Sequence, residues 1–203
     1  VYTGVIHNMT EKNLTERNLL EHNFPERNMT ELNMPEHNMP EHNIPELDEI
    51  KQKLRQMLTP RRFEHSVNTM EVCIRLAEKY GADVKKAAIA GLVHDCAKNL
   101  DKDDILPMCE KYGIIVDEIA RSQPKLLHGE IGAHMAQELL GIDDPQILAA
   151  IAEHTLGRPG MDKISSIVFI ADYIEAGRNF EGIEEIRKAA DESLEKAIVA
   201  GID

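Results

Sequence analysis

The chain has 203 residues, and its 36 acidic residues against 23 lysines and arginines give a formal net charge of −13 at pH 7. This charge, together with an aromatic content of only 4%, argues against a protein that binds nucleic acid through phosphates or by base stacking. No apolar run approaches membrane-spanning length, and the three cysteines form no CxxC pair, so we expect a cytoplasmic protein with no membrane partner.

Residues 1–48 differ in composition from the rest of the chain. Eight pentads between His7 and Glu46 each place Asn second, an apolar residue third and Glu fifth. A period of five matches neither an α-helix nor a β-strand, and four prolines interrupt any helix. We interpret this segment as a low-complexity tail, disordered or extended, with a pentapeptide-type β-solenoid as the alternative. The histidines of the tail belong to its repeat and are not counted as candidate ligands.

Residues 49–203 predict an all-α domain, because apolar positions recur at helical spacing and no stretch alternates with a period of two for long. Thr59 and Pro60 start one helix as N-cap and first helical residue, and Gly81 ends it. We therefore expect an irregular bundle of about seven or eight helices. The predicted helices span residues 47–58, 60–80, 83–95, 102–112, 124–140, 145–154, 161–176 and 181–200.

Side chains of metal-ligand type are spread along these helices, about one to a helix, so they can converge in the core of a bundle. The set mixes imidazoles with carboxylates, which suits iron, manganese or another first-row divalent metal better than magnesium. Asp172 lies within an apolar run, where an unpaired carboxylate would be costly. The candidate metal ligands are His65, His94, Asp95, His128, His154 and Asp172.

Six ligands are enough for two ions. We expect one ion on His65, His94, Asp95 and Asp172, and a second on His128 and His154, with Asp95 bridging both. Two metals about 3.5–4 Å apart can clamp a phosphoryl group for hydrolysis.

Four further residues are candidates for contacting substrate phosphate. Lys98 follows the His94-Asp95 pair by a single helical turn, and each of the others could equally have an ordinary surface role. His134 lies on a largely opposite face from His128, and Cys96 has no histidine partner to activate it, so neither is assigned to the site. The candidate substrate-binding residues are Lys98, Thr155, Arg158 and Arg178.

Five motifs in order make the chain similar to a known family: residues 62–66 (RFEHS), 93–98 (VHDCAK), 126–129 (LLHG), 154–157 (HTLG) and 171–175 (ADYIE). Over about residues 50–200 the chain resembles the HD-domain phosphohydrolases and, more narrowly, the YqeK family of bacterial symmetrical diadenosine tetraphosphate hydrolases. The resemblance implies an iron-containing dinuclear centre and cleavage of that nucleotide into two ADP. It implies that the six ligands named above hold the metals and that Asp95 and Lys98 take part in catalysis.

Three other functions stay open on the sequence alone. A di-iron oxygenase would use similar helices and ligands, although Lys98 and the other cations favour a phosphate substrate. A phosphohydrolase could act on a different nucleotide, and a non-catalytic nucleotide-binding module could keep the same residues. We expect a small-molecule nucleotide as the partner, and a homodimer is one assembly that the chain could form.

Overall fold

The computed structural model describes residues 45–202, and among these residues no strand occurs. The prediction for the pentads before Pro45 therefore lies outside the described residues. Within them, no helix has both the length and the apolar character that crossing a membrane requires. The α-helices are α1 (Pro45–Met57), α2 (Pro60–Tyr80), α3 (Val84–Val93), α4 (Lys102–Tyr112), α5 (Glu118–Ser122), α6 (His128–Leu140), α7 (Pro145–Glu153), α8 (Lys163–Ile174), α9 (Ile183–Glu192) and α10 (Leu194–Ile202).

The all-α prediction is confirmed, and the described residues hold two helices more than the eight spans drawn from the sequence. The short helix α5 was not predicted; Asp117 caps it by accepting a hydrogen bond from the backbone N–H of Ala120 at 2.7 Å. The predicted last helix is two helices, because Ser193 adopts an extended backbone and its hydroxyl accepts from the N–H of Lys196 at 3.1 Å. Residues Pro124–Leu127 form a 3₁₀ turn rather than the start of α6.

Helix α3 lies at the centre of the bundle and packs against α2, α7 and α8. Seven consecutive residues of α3, from Ala87 to Val93, are buried. A Cβ on Gly91 would lie 2.6 Å from Sγ of Cys73 and 3.2 Å from Cα of Met70, so α2 and α3 approach as closely as the missing side chain allows. This close approach brings the end of α3 next to His65 on α2.

A second close approach joins α6 to α7. A Cβ on Gly129 would lie 2.8 Å from the carbonyl oxygen of Ala152, closer than a real Cβ ever comes to such an atom. The glycine therefore lets the first turn of α6, which begins at His128, pack against the last turn of α7, which is followed directly by His154. Helix α8 packs across α2, α3 and α7 and supplies Asp172.

Candidate metal centre

The structure brings all six predicted ligands into one buried cluster, and most of them sit at a helix end. His94 and His154 directly follow α3 and α7, and His128 begins α6. The four imidazoles form two pairs: Nε2 of His65 lies 3.2 Å from Nε2 of His94, and Nε2 of His128 lies 3.0 Å from Nε2 of His154. The cluster thus has two halves, each with a pair of ring nitrogens.

The carboxylate of Asp95 lies between the two pairs and is only 1% exposed. Its Oδ2 atom faces the first pair, 3.7 Å from Nε2 of His65 and 3.6 Å from Nε2 of His94. Its Oδ1 atom faces the second pair, 3.1 Å from Nε2 of His128 and 3.4 Å from Nε2 of His154. Asp172 joins the first half, with Oδ1 at 3.0 Å from Nε2 of His65.

The other ring nitrogen of each histidine fixes its tautomer. Nδ1 of His94 lies 2.7 Å from the carbonyl oxygen of Gly91, and Nδ1 of His154 lies 2.7 Å from that of Ile151. Nδ1 of His128 makes the same contact with Lys125 at 2.6 Å. Because a carbonyl oxygen only accepts, each Nδ1 carries the proton and donates it, which leaves a lone pair on Nε2 of the neutral ring.

His65 reaches the same tautomer through a carboxylate. Its Nδ1 donates to Oε1 of Glu175 at 3.1 Å, and Glu175 is 2% exposed. The second oxygen of Glu175 accepts from Nδ2 of Asn68 at 3.0 Å and from the backbone N–H of Gly177 at 2.6 Å. These three donors keep the pKa of Glu175 below its usual range despite burial, which by itself would raise it. Glu175 therefore orients His65 as a charged acceptor.

These tautomers give a direct test of whether the cluster fits a metal. When the rings are neutral, four Nε2 lone pairs point into the cluster, and the members of each pair face one another without a proton to share. Two carboxylates add further acceptor oxygens to the same space. A set of converging acceptors of this kind is stabilised by cations, and imidazole with carboxylate is a donor set for first-row divalent metals. The residues present fit a metal centre.

The protonation states of the buried groups agree with that chemistry. Burial lowers the pKa of His94 to about 4, so this ring is neutral at pH 7. Burial also lowers the pKa of His128. For Asp95, burial favours the protonated carboxyl, but the imidazole of His94 and the contacts of His128 and His154 outweigh it and hold the pKa far below the usual range. Asp95 is thus an ionised carboxylate, the form that can bind a cation.

Two arginines near the cluster were not singled out from the sequence as functional residues. Nη1 of the partly exposed Arg62 lies 2.7 Å from Oδ2 of Asp95, so the two side chains form an ion pair. Arg187 on α9 donates to the backbone carbonyls of Ile174, Glu175 and Arg178 at 3.1 to 3.3 Å and so holds the turn that follows α8. Arg62 begins the first of the five motifs, yet its residue type alone did not indicate a contact with Asp95, and nothing in the local pattern distinguished Arg187.

Three of the four predicted substrate-binding residues lie at the cluster. Nζ of Lys98 lies 3.0 Å from Nε2 of His128, and the hydroxyl of Thr155 lies 3.2 Å from the same atom. Arg178 pairs with the carboxylate of Asp172. Arg158 instead pairs with Glu153, keeps 58% of its side chain exposed and lines neither cleft described below; its role with phosphate stays a prediction.

Two clefts open onto the cluster. The first has a volume of about 570 Å³ and the second about 430 Å³. Both are lined by Lys98, His128 and Arg178, so they meet at the cluster. The cationic side chains that line the first cleft are Arg61, Arg62, Lys98, Lys125 and Arg178.

The two residues left out of the site have other contacts. The ring of His134 stacks on Tyr112 with centroids 4.7 Å apart. Cys96 donates from Sγ to the carbonyl oxygen of Gly132 at 3.3 Å, and burial raises the pKa of its thiol to about 12. A thiol in that state is a packing group rather than a nucleophile.

A helical bundle in which separate helices each supply a histidine or aspartate to one buried cluster defines the chain as an HD-domain protein. The sequence model of the HD domain matches residues 62–177, a range that includes all six ligand candidates. The chain is 39% identical to the symmetrical bis(5′-nucleosyl)-tetraphosphatase of Bacillus subtilis over 73% of this chain and 80% of the relative. It is 38% identical to the protein of the same name from Halalkalibacterium halodurans, over 74% and 80%. The chain therefore belongs to the family of symmetrical bis(5′-nucleosyl)-tetraphosphatases, which confirms the resemblance found in its sequence.

A solved structure gives the same fold. The crystal structure of a predicted HD superfamily hydrolase involved in NAD metabolism, from Clostridium acetobutylicum, is similar with a TM-score of 0.74 and 44% identity. The similarity covers 76% of this chain and 82% of that chain. The two proteins therefore share the arrangement of their helices as well as the HD sequence motif.

Proposed function

We propose that this chain hydrolyses diadenosine tetraphosphate symmetrically, into two molecules of ADP, at a dinuclear metal centre. The observation that carries the proposal is the position of Asp95, whose two oxygens each face a separate pair of imidazole nitrogens. A carboxylate placed in this way suits a ligand shared between two cations. The choice of nucleotide is supported by the names of the relatives that match most of the chain.

In this proposal His65, His94 and Asp172 hold one ion, His128 and His154 hold the other, and Asp95 is shared. The mixed nitrogen and carboxylate donors suit a first-row divalent metal, and the family resemblance makes iron our first choice, with manganese or another first-row metal as the alternative. A bound pair of such ions supplies Lewis acidity to a phosphoryl group and lowers the pKa of water.

The residues of the chain itself bind and orient the substrate. Lys98 lies beside the second imidazole pair, and Arg178 lies beside Asp172 in the first half of the cluster. Their positive charges suit the phosphates on either side of the bond that breaks. Glu175 keeps Nε2 of His65 aimed into the cluster, and Arg62 offsets part of the charge of Asp95. No protein nucleophile is needed for hydrolysis of this kind.

The experiment that tests the proposal is a nucleotide panel run with purified, metal-loaded protein, with products separated by chromatography. We expect diadenosine tetraphosphate to be turned over fastest and ADP to be its only product. Equal amounts of ATP and AMP would contradict symmetrical cleavage, and faster turnover of another nucleotide would move the protein to a different phosphohydrolase activity. The same assay without oxygen tests the di-iron oxygenase alternative, since hydrolysis persists there and oxygenation stops.

The metal, the assembly and the compartment are tested separately. Elemental analysis of protein purified without chelators tests for iron. Light scattering on the eluting peak of a sizing column tests the homodimer, and fractionation of cells tests the cytoplasmic location.

A further inference from the structure

The two clefts share Lys98, His128 and Arg178, but the other side chains that line them differ in chemistry. The first is rich in cations, including Arg61, Arg62 and Lys125, which the second lacks. The second brings two aromatic side chains, Tyr173 and Phe180, to the cluster together with the hydroxyl of Thr155. Neither aromatic residue has a role in the metal centre described above.

The two cations that line both clefts contact different halves of the cluster. Lys98 contacts His128 in one half, while Arg178 contacts Asp172 in the other. A polyphosphate chain that runs from one cleft to the other would therefore meet both of these cations. Each cleft is also within the size range of small-molecule sites, which begins at about 300 Å³.

We propose that the clefts are two nucleotide half-sites, and that Phe180 stacks on the nucleoside base of the half that enters the second cleft. The inference rests on the proposed function, because it takes the substrate to be a dinucleoside polyphosphate. Phe180 suits the role because it lines the second cleft and is 42% exposed, while Tyr173 packs against Phe169 with centroids 5.3 Å apart. Aromatic rings accept any base, so this half-site selects for a second nucleoside rather than for adenine.

The arrangement predicts that a nucleotide with two nucleosides is a better substrate than one with a single nucleoside. Both compounds can place phosphates over the cluster and one nucleoside in the first cleft. Only the dinucleotide also gains the stacking contact in the second cleft. Phe180 is thus a specificity-determining residue, and its removal reduces the preference for two nucleosides without touching a metal ligand.

The test compares diadenosine tetraphosphate with adenosine 5′-tetraphosphate on the wild type, Phe180→Ala and Phe180→Trp. We expect Phe180→Ala to raise KM for the dinucleotide about tenfold, the loss of one stacked base. The kcat/KM of Phe180→Ala for adenosine 5′-tetraphosphate should change by less than about twofold, because this substrate has no second base to stack. Phe180→Trp, which keeps an aromatic ring, should restore the preference for the dinucleotide over the mononucleotide. Ile115→Ala is the matched control, since Ile115 is 90% exposed and lines neither cleft. Equal losses on both substrates in Phe180→Ala would overturn the inference.

A binding measurement separates this inference from the proposed activity. Titration of the metal-loaded wild type with ADP should show two molecules bound per chain, and Phe180→Ala should lose the weaker of them. One ADP per wild-type chain would overturn the two half-sites even if diadenosine tetraphosphate is hydrolysed. Two ADP per chain in a protein that hydrolyses neither tetraphosphate would keep the half-sites and refute the proposed function.

Discussion

The ring orientation of each of the four histidines in the cluster is fixed by the acceptor of its Nδ1 hydrogen bond. Three donate to backbone carbonyls within one helical turn, as His94 does to Gly91, so their orientation follows from local helix geometry. His65 is the exception, because it depends on the carboxylate of Glu175, 110 residues away in the sequence. Its orientation therefore depends on the packing of α2 against the end of α8.

This difference makes Glu175→Gln an informative substitution. The amide keeps the size of the side chain but removes the charge that holds the Nδ1 proton of His65, so Nε2 becomes a poorer ligand. We expect metal affinity to fall about tenfold to a hundredfold, the usual cost of losing such an outer partner of a ligating histidine. Competition with a chelator measures that affinity. The control is Glu192→Gln, which removes an exposed ion pair between Glu192 of α9 and Lys196 of α10. Unchanged affinity in Glu175→Gln would contradict the role given to Glu175.

Residue types and spacing were enough to find the ligand candidates but not the residues that support them. His94 and Asp95 stood out because two ligand types end one buried helix. Glu175 was visible in the motif, yet only the structure shows that it is buried against His65. Arg62 likewise lies one helical turn before His65, and its contact with Asp95 depends on how α2 packs on the end of α3.

The helices meet at the cluster through glycines, and Gly129 gives the clearest test. In Gly129→Ala the new Cβ would lie 2.8 Å from the carbonyl oxygen of Ala152, and a backbone atom cannot move aside cheaply. We expect α6 and α7 to separate, with about 1–3 kcal/mol lost from the free energy of unfolding and a drop in activity of roughly tenfold or more. Denaturant titration and turnover measure the two effects.

Gly132→Ala, one turn further along the same helix, is the matched control. Its Cβ would meet its nearest neighbour, the side chain of Ile151, at an ordinary 3.4 Å. We expect this variant to stay active and to be stabilised slightly, because alanine is the better helix former. If Gly129→Ala behaves like Gly132→Ala, the close approach of α6 and α7 is not needed for the site.

The helix ends predicted from the sequence agree with the structure where the chain has clear capping residues. Thr59 with Pro60 and the glycines at 81, 113 and 141 mark ends that the structure keeps. The short helix α5 was missed because five residues show no periodicity. The break at Ser193 was missed because the apolar pattern continues through it, while the serine hydroxyl caps a new helix.

The whole chain is strongly acidic, yet the first cleft gathers cations, so a polyphosphate is attracted locally rather than by the net charge. The ligand candidates and both clefts lie within residues 45–202. We therefore expect a chain lacking residues 1–44 to hydrolyse diadenosine tetraphosphate at a rate close to that of the full chain. Circular dichroism should confirm that the shortened protein is folded. A folded but inactive truncation would show that the pentads contribute to substrate binding.

The most direct test of the account is the metal content and turnover of Asp95→Asn, measured on one preparation beside the wild type. Two cations a few ångströms apart repel, and a shared carboxylate offsets that repulsion. The wild type should hold about two ions per chain, and His128→Ala should lose one of them. Asp95→Asn should retain helical circular dichroism, fall below full occupancy at both positions and lose activity by about a thousandfold or more. An Asp95→Asn protein that keeps both ions would contradict the bridging role, and one that turns over at the wild-type rate without metal would contradict the metal-dependent mechanism itself.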